Sequence, residues 1–256
     1  MGLKGFANFL AETHPEAFFE VDGISQRCEH IVVDVCDVIH RVFAQASTYT
    51  HLLVLITGVL DACLKIPLAA GHLSTVGLFF DGSAPLAKLE LQRERRMSLL
   101  RGKQRDDAKS KAKPAKLNAA HQGASLGAMH RLELTAGSAL MTRIGEDISA
   151  WGREKVKRSS CKRAVFVVSG PNTPGEGEIK MFRFLSSLPR AVPHGPLRVA
   201  VVGSDADLTL LALAARTHSP RLRLHLLPPP DIRDTAQRQI CFCSSALLLD
   251  ESGASG

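Results

Sequence analysis

An α/β fold with a mostly parallel central sheet flanked by helices is the architecture this 256-residue sequence predicts. Three observations support it. Five short aliphatic or β-branched runs recur along the chain, and segments of helical character separate them. Hydrophobic residues make up 45% of the sequence but aromatics only 5%, so the expected core is aliphatic. The runs are continuous rather than alternating, as strands buried on both faces require.

Taken in order, the strands are Ile31–Val33, Val76–Phe80, Ala164–Val168, Val199–Val202 and Leu222–Leu227. Helical segments include Leu52–Lys65, Ala87–Leu100, Lys180–Leu188 and Leu208–Ala214. A parallel sheet with helical crossovers binds its ligands beyond the carboxyl ends of the strands. The length suits one large domain or two small ones. The expected division is a domain over 1–230, with a basic flexible insertion at about 101–128, followed by a tail over 231–256. Within that tail, Ile240–Leu249 is apolar enough to cover a face of the sheet as one short element.

The formal net charge is +7 and the isoelectric point is near 9.3, which favours a polyanionic partner, nucleic acid before an anionic membrane. The cysteines at 28, 36, 63, 161, 241 and 243 have no CxxC spacing, and no zinc set forms around Cys241 and Cys243. Reduced, buried thiols are the reading, and they point to an intracellular protein, nuclear or cytoplasmic. The opening MGLKGFANFLAETHPEAF lacks the long apolar core of a secretory signal. Its sixth residue, Phe6, does not suit a myristoylation motif. The apolar run Leu52–Leu60 is stopped by Asp61 and Lys65, well short of the ~20 residues of a membrane span.

The carboxylates fall at strand ends. Ile31–Val33 runs into Asp34, and Val76–Phe80 into Asp81. Ala164–Val168 leads through a turn to Glu176 and Glu178, and Val199–Val202 leads through Gly203 and Ser204 to Asp205 and Asp207. A lone Asp at such a position is usually a turn former or a helix cap. Four strands delivering acids to one edge is a different matter. Such a group repels itself unless cations neutralise it, and oxygen donors without His or Cys suit Mg²⁺ or Mn²⁺. Two such ions are the apparatus for in-line displacement at a phosphodiester.

Directly after Asp81 comes GSAPLAKLELQRERRMSLLRGKQR. As a helix from about Leu86, it sets Lys88, Gln92, Arg95 and Arg96 at i, i+4, i+7 and i+8, on one face. A solvated helix face is the usual meaning of such a charge run. Here the stripe contains Gln92 and starts beside a candidate metal ligand, which suits the grip of a terminal phosphate. The Lys- and Ala-rich stretch that follows reads as an insertion able to touch RNA backbone.

Together these residues resemble the N-terminal catalytic region of the XRN family of 5′→3′ exoribonucleases. The matching segments are MGLKGFANFLAETHP, VVDVCDVIH, FFDGSAPLAKLELQRERR, LTAGSALM, VSGPNTPGEGEIK and VVGSDADLTLLALAARTHSP, in that order, from Met1 to about Leu227. The resemblance implies a PIN/flap-nuclease-like fold with an acidic metal site at the carboxyl edge of the strands. It implies that Asp34, Asp81, Glu176, Glu178, Asp205 and Asp207 are catalytic and hold two Mg²⁺ or Mn²⁺ ions. It further implies that Lys88, Gln92, Arg95 and Arg96 select a 5′-monophosphate on single-stranded RNA, and that His40 stacks on the first bases. By itself, a lone His after an apolar turn is more often structural.

The sequence departs from the family pattern in places. Cys36-Asp37 stands where the family has Asn-Gly, which adds an acid near the site; Leu86, Ala136 and Ile179 replace an Arg, a Pro and a His. The family continues to a further Asp near a GNDFLP-like motif, whereas Asp231, Asp234 and Asp250 lack those surroundings and are assigned no such role. The leading expectation is a 5′→3′ exoribonuclease that hydrolyses 5′-monophosphorylated RNA in RNA turnover or processing. Against this, the unmatched end predicts a foldable chain that binds phosphate and metal but turns RNA over slowly or not at all, with a protein partner as one source of the missing elements. The alternatives are a catalytically weak or inactive RNA-binding or assembly protein, and a flap-type DNA nuclease. The second is the poorer, since its relatives carry GEAEAQ where this chain has GEGEIK.

Overall fold

A computed structural model of the chain describes residues 6–20, 28–69, 73–83, 90, 93–94, 97–98, 101, 133–158, 161–191, 195–231 and 240–243. Its sheet has seven strands: β1 (Phe18–Glu20), β2 (His30–Asp34), β3 (Thr75–Phe79), β4 (Val165–Ser169), β5 (Leu197–Val202), β6 (Leu222–Leu227) and β7 (Ile240–Cys243). The described helices are α1 (Phe6–Thr13), α2 (Val35–Phe43), α3 (Tyr49–Ala69), α4 (Ala139–Val156), α5 (Gly177–Ala191) and α6 (Ala206–His218), with a 3₁₀ turn at Pro15–Ala17.

The strand order is β1-β7-β6-β5-β2-β3-β4. The five strands from β4 to β6 are all parallel, and each of the five apolar runs of the sequence overlaps one of them, offset by one residue at β3 and β4. Strand side chains alternate between faces, and both faces are apolar here. Ile31 and Val33 pack on one side with Val76, Leu78, Ile56, Ile144 and Ile148, while Val32 packs on the other with Val199, Val201, Met181, Leu185 and Leu208. Helices α2, α3 and α4 therefore cover one face, and α1, α5 and α6 the other. That double cover is why the strands read as unbroken apolar runs.

The chain winds outward from β2 through β3 to β4, then returns to β5 on the other side of β2. Neighbouring loops at β2 and β5 consequently leave the sheet toward opposite faces, and a crevice opens at their carboxyl ends. Asp34 closes β2 on one side of it, and Gly203-Ser204-Asp205 follows β5 on the other.

Two strands go beyond the sequence expectation. Phe18–Glu20 and Ile240–Cys243 extend the sheet as antiparallel strands, with β7 lying between β6 and β1. Ile240–Cys243 thus joins the sheet edge rather than lying on a face, because β6 without it presents an unpaired row of backbone donors and acceptors. Helix α3 starts three residues before the predicted Leu52 and runs four past Lys65. Cys28, Cys36, Cys63 and Cys161 are buried thiols outside any disulfide, and burial pushes the Cys63 thiol up to about 12. No helix among the described residues is long and apolar enough to cross a membrane.

Candidate metal centre

Asp34 is the last residue of β2 and the N-cap of α2. Its Oδ1 accepts from Cys36 N (2.9 Å) and Asp37 N (3.3 Å), two of the helix donors that have no partner within the helix. Burial pushes its carboxyl up to about 7, and the charge of Asp81 adds to the rise, against the pull of those two amide bonds. Asp34 pairs with Phe79 in the parallel ladder, two residues before Asp81, so the ends of β2 and β3 bring these acids near each other.

Asp81 follows β3 by two residues and is exposed. It is held from two sides. Its N–H donates to Cys36 Sγ (3.1 Å), and its Oδ1 accepts from Gly177 N at the start of α5 (2.7 Å). The second bond ties Asp81 to the loop carrying Glu176 and Glu178. That loop is further fixed by an exchange of backbone bonds, Gly82 N to Gly175 O (2.9 Å) and Gly175 N to Ser83 O (3.0 Å). Gly82 is required at this crossing, since a Cβ there would lie 1.8 Å from the Thr173 carbonyl oxygen. Gly175 adopts φ 104°, which favours glycine.

Lys180 anchors the same loop from within. It is 8% exposed, and its Nζ donates to Gly170 O (3.1 Å) and Thr173 O (3.0 Å). Burial lowers its pKa, while the charge of Asp81 works in the opposite direction.

Glu178 stands in the first turn of α5; Asp205 N-caps α6, and Asp207 lies in the first turn of α6. The two helix starts meet, so that one carboxylate oxygen from each of Glu178, Asp205 and Asp207 lies within 4.8 Å of the others. Oxygen donors at this spacing, without His or Cys, fit a hard divalent cation. Nearby helix N-termini also favour negative charge, though they are far from cancelling three carboxylates. Among the described residues, Asp34, Asp81 and Glu176 do not join a group of that tightness. Glu176 is half-buried just before α5, and its carbonyl accepts from Lys180 N (3.0 Å).

His40 is exposed in the last turn of α2. Lys88, Gln92, Arg95 and Arg96 lie outside the described residues, as does most of the insertion at 101–128. Of the segment around the basic stripe, Glu90, Arg93, Glu94, Met97, Ser98 and Arg101 are helical and exposed.

Lys180, Gly82 and Cys36 support the site, yet sequence reasoning gave them no role. Their signal was weak. Lys180 is one Lys in a helix whose other inward residues, such as Met181 and Leu185, are apolar, and its contacts reach back to loop carbonyls. The part played by Cys36 depends on β2 and β3 being neighbours.

The XRN 5'-3' exonuclease N-terminus model matches residues 1–225. The chain is similar to 5'-3' exoribonuclease 2 of Aspergillus oryzae, 30% identical over 153 residues, which are 56% of this chain and 15% of that protein. It is 26% identical over 238 residues to 5'-3' exoribonuclease 1 of Homo sapiens, covering 84% of this chain and 13% of the relative. With 5'-3' exoribonuclease 1 of Saccharomyces cerevisiae it shares 24% identity over 239 residues, 88% of this chain and 15% of the relative. The aligned part is therefore a small share of each relative's length, 13–15% in these three. With the family model matched from residue 1 to 225 over a sheet whose strand ends carry the clustered acids, the chain belongs to the XRN 5′-3′ exonuclease N-terminus family.

Proposed function

We propose that this chain carries the metal-binding catalytic part of a 5′→3′ exoribonuclease acting on RNA with a 5′-monophosphate. The observation that carries this reading is the meeting of Glu178, Asp205 and Asp207, with ligand oxygens within 4.8 Å of one another at the crevice side of the sheet. Their donor chemistry suits Mg²⁺ or Mn²⁺, and two ions are proposed, with Asp34, Asp81 and Glu176 completing the ligand set. When bound, such ions would make a coordinated water more acidic than bulk water and would offset charge on the phosphate.

The chain's own residues bind and orient. Lys88, Gln92, Arg95 and Arg96 grip the terminal phosphate, the two guanidinium groups through their fixed forks of donors. His40 stacks on the first base. Holding the end in place puts the first internal phosphodiester at the carboxylates. Water adds to that phosphorus, the P–O3′ bond breaks, and the departing 3′ oxygen gains a proton. The phosphate stays on the next nucleotide, so each turnover recreates the 5′-monophosphate end that the cationic stripe recognises.

The test compares matched RNAs that differ only at the 5′ end, with release of mononucleotide as the readout. A 5′-monophosphate should be preferred over a 5′-hydroxyl by at least about 10-fold, and Arg95→Ala with Arg96→Ala should remove that preference. Equal rates on both ends, with the double variant slowing them alike, would reduce the stripe to a general basic surface.

A further inference from the structure

The turn between β5 and α6 carries Asp205 and Asp207, two of the three clustered carboxylates. Gly203 at its start donates to Leu227 O (2.9 Å), which ties it to β6. Asp205 at its end is exposed, and its side chain accepts from Asp207 N within its own helix (3.4 Å). Between them, Ser204 reaches across the crevice. Both its N–H (2.8 Å) and its Oγ–H (2.7 Å) donate to Oδ2 of Asp37. Asp37 lies in the first turn of α2, three residues after Asp34, and its Oδ1 is 3.9 Å from Arg41 Nε.

We propose that Asp37 is a positioning residue that clasps the β5–α6 turn to the start of α2, setting the distance between the Asp34/Asp81 half of the site and the Glu178/Asp205/Asp207 half. This rests on the reading of those carboxylates as cation ligands. Neighbouring strands β2 and β5 hand their chains to opposite faces here, so the backbone ladder that joins them has ended. Past that point Asp37–Ser204 is a direct bond between the two chain segments. Two donors from one residue on a single oxygen fix the orientation of Ser204 as well as its distance, and Asp205 is the next residue. An acid is electrostatically costly in this place, because its charge lies close enough to Asp34 to oppose ionisation there. Arg41, one turn along α2, offsets part of that charge. The clasp gives the costly acid a use.

The experiment follows two readouts in wild type, Asp37→Ala, Asp37→Asn and Ser204→Ala. One is amide hydrogen exchange across residues 203–207 in metal-free protein, and the other is Mn²⁺ affinity. Asp37→Ala should speed exchange at Ser204 and Asp205 by about 10-fold or more and weaken Mn²⁺ binding by about 10-fold, the usual effect of losing a group that orients a ligand. Asp37→Asn should keep both near wild type, because its amide oxygen accepts the same two bonds. Ser204→Ala, which keeps the backbone bond, should fall between.

A folded Asp37→Ala with wild-type exchange and affinity would overturn the proposal, and so would Asp37→Asn as impaired as Asp37→Ala, which would make charge the cause. If Asp37→Ala does not fold, Ser204→Ala decides, and unchanged exchange and affinity in it would overturn the proposal. A wild type that binds no Mn²⁺, together with exchange that rises in Asp37→Ala and not in Asp37→Asn, would support the clasp while removing the cation reading.

Discussion

Replacing Asp34 by Asn separates the charge of this residue from its role as a helix cap. Asn caps a helix about as well as Asp, so the acceptor for Cys36 N and Asp37 N is kept. What disappears is a carboxyl that burial and the Asp81 charge push from 3.8 up to about 7 in the metal-free protein. Between those values the native state holds a proton that the unfolded chain has released. The stability contribution of Asp34 is therefore full below pH 3.8 and is lost as pH rises through about 7. The slope is on the order of 1.4 kcal/mol per pH unit for one proton, and over the whole interval the loss approaches roughly 4 kcal/mol. Urea unfolding of both proteins in EDTA, from pH 4 to pH 8, measures it. Asp34→Asn should gain on wild type steadily with pH, by about 2–4 kcal/mol at pH 8. Mn²⁺ at one hundred times its dissociation constant should stabilise wild type by about 2.7 kcal/mol, and the variant by less. A difference between the two proteins that stays flat across pH 4–8 would refute the buried, charge-opposed Asp34.

Gly82→Ala places a methyl carbon 1.8 Å from the Thr173 carbonyl oxygen, so the two loops must part by about 1 Å or more. That movement breaks the Gly82–Gly175 exchange and loosens Gly177 from Asp81, and RNA hydrolysis should fall by about 10²-fold in a protein that still folds. Unchanged turnover would mean that this crossing does not position the acids. Lys180→Met removes two charge-assisted bonds from a buried site, to Gly170 O and Thr173 O, and should cost about 2–4 kcal/mol of stability by urea unfolding. A loss below about 0.5 kcal/mol would mean that the two carbonyls find other partners.

The parallel part of the sheet was legible because burial on both faces writes itself into sequence as apolar runs, and Ile31–Val33 and Leu222–Leu227 are examples. Strand ends carrying Asp34, Asp81 and Asp205 could be read for the same reason, since a polar residue terminates each run. Phe18–Glu20 and Ile240–Cys243 were not legible as partners, because an antiparallel pairing across more than 200 residues leaves no local signature. The three-carboxylate group was visible as residues but not as geometry. Sequence offered six equivalent acids, whereas Glu178, Asp205 and Asp207 meet because the N-termini of α5 and α6 adjoin, a consequence of packing. Asp37 was noticed as an additional acid, while its bond to Ser204 depends on β2 and β5 being neighbours despite a separation of 167 positions in sequence.

The most direct test of the account is a Mn²⁺ titration of wild type and of the Asp205→Asn, Asp207→Asn double variant, with free Mn²⁺ followed by electron paramagnetic resonance. Asn retains the capacity to cap α6, so the fold of the variant should persist, and circular dichroism checks this. Wild type should bind Mn²⁺ saturably and release it to EDTA, while the variant should bind at least about 10-fold more weakly because two anionic ligands are gone. Mn²⁺ affinity in the folded double variant equal to that of wild type would contradict the claim that Glu178, Asp205 and Asp207 hold the ion.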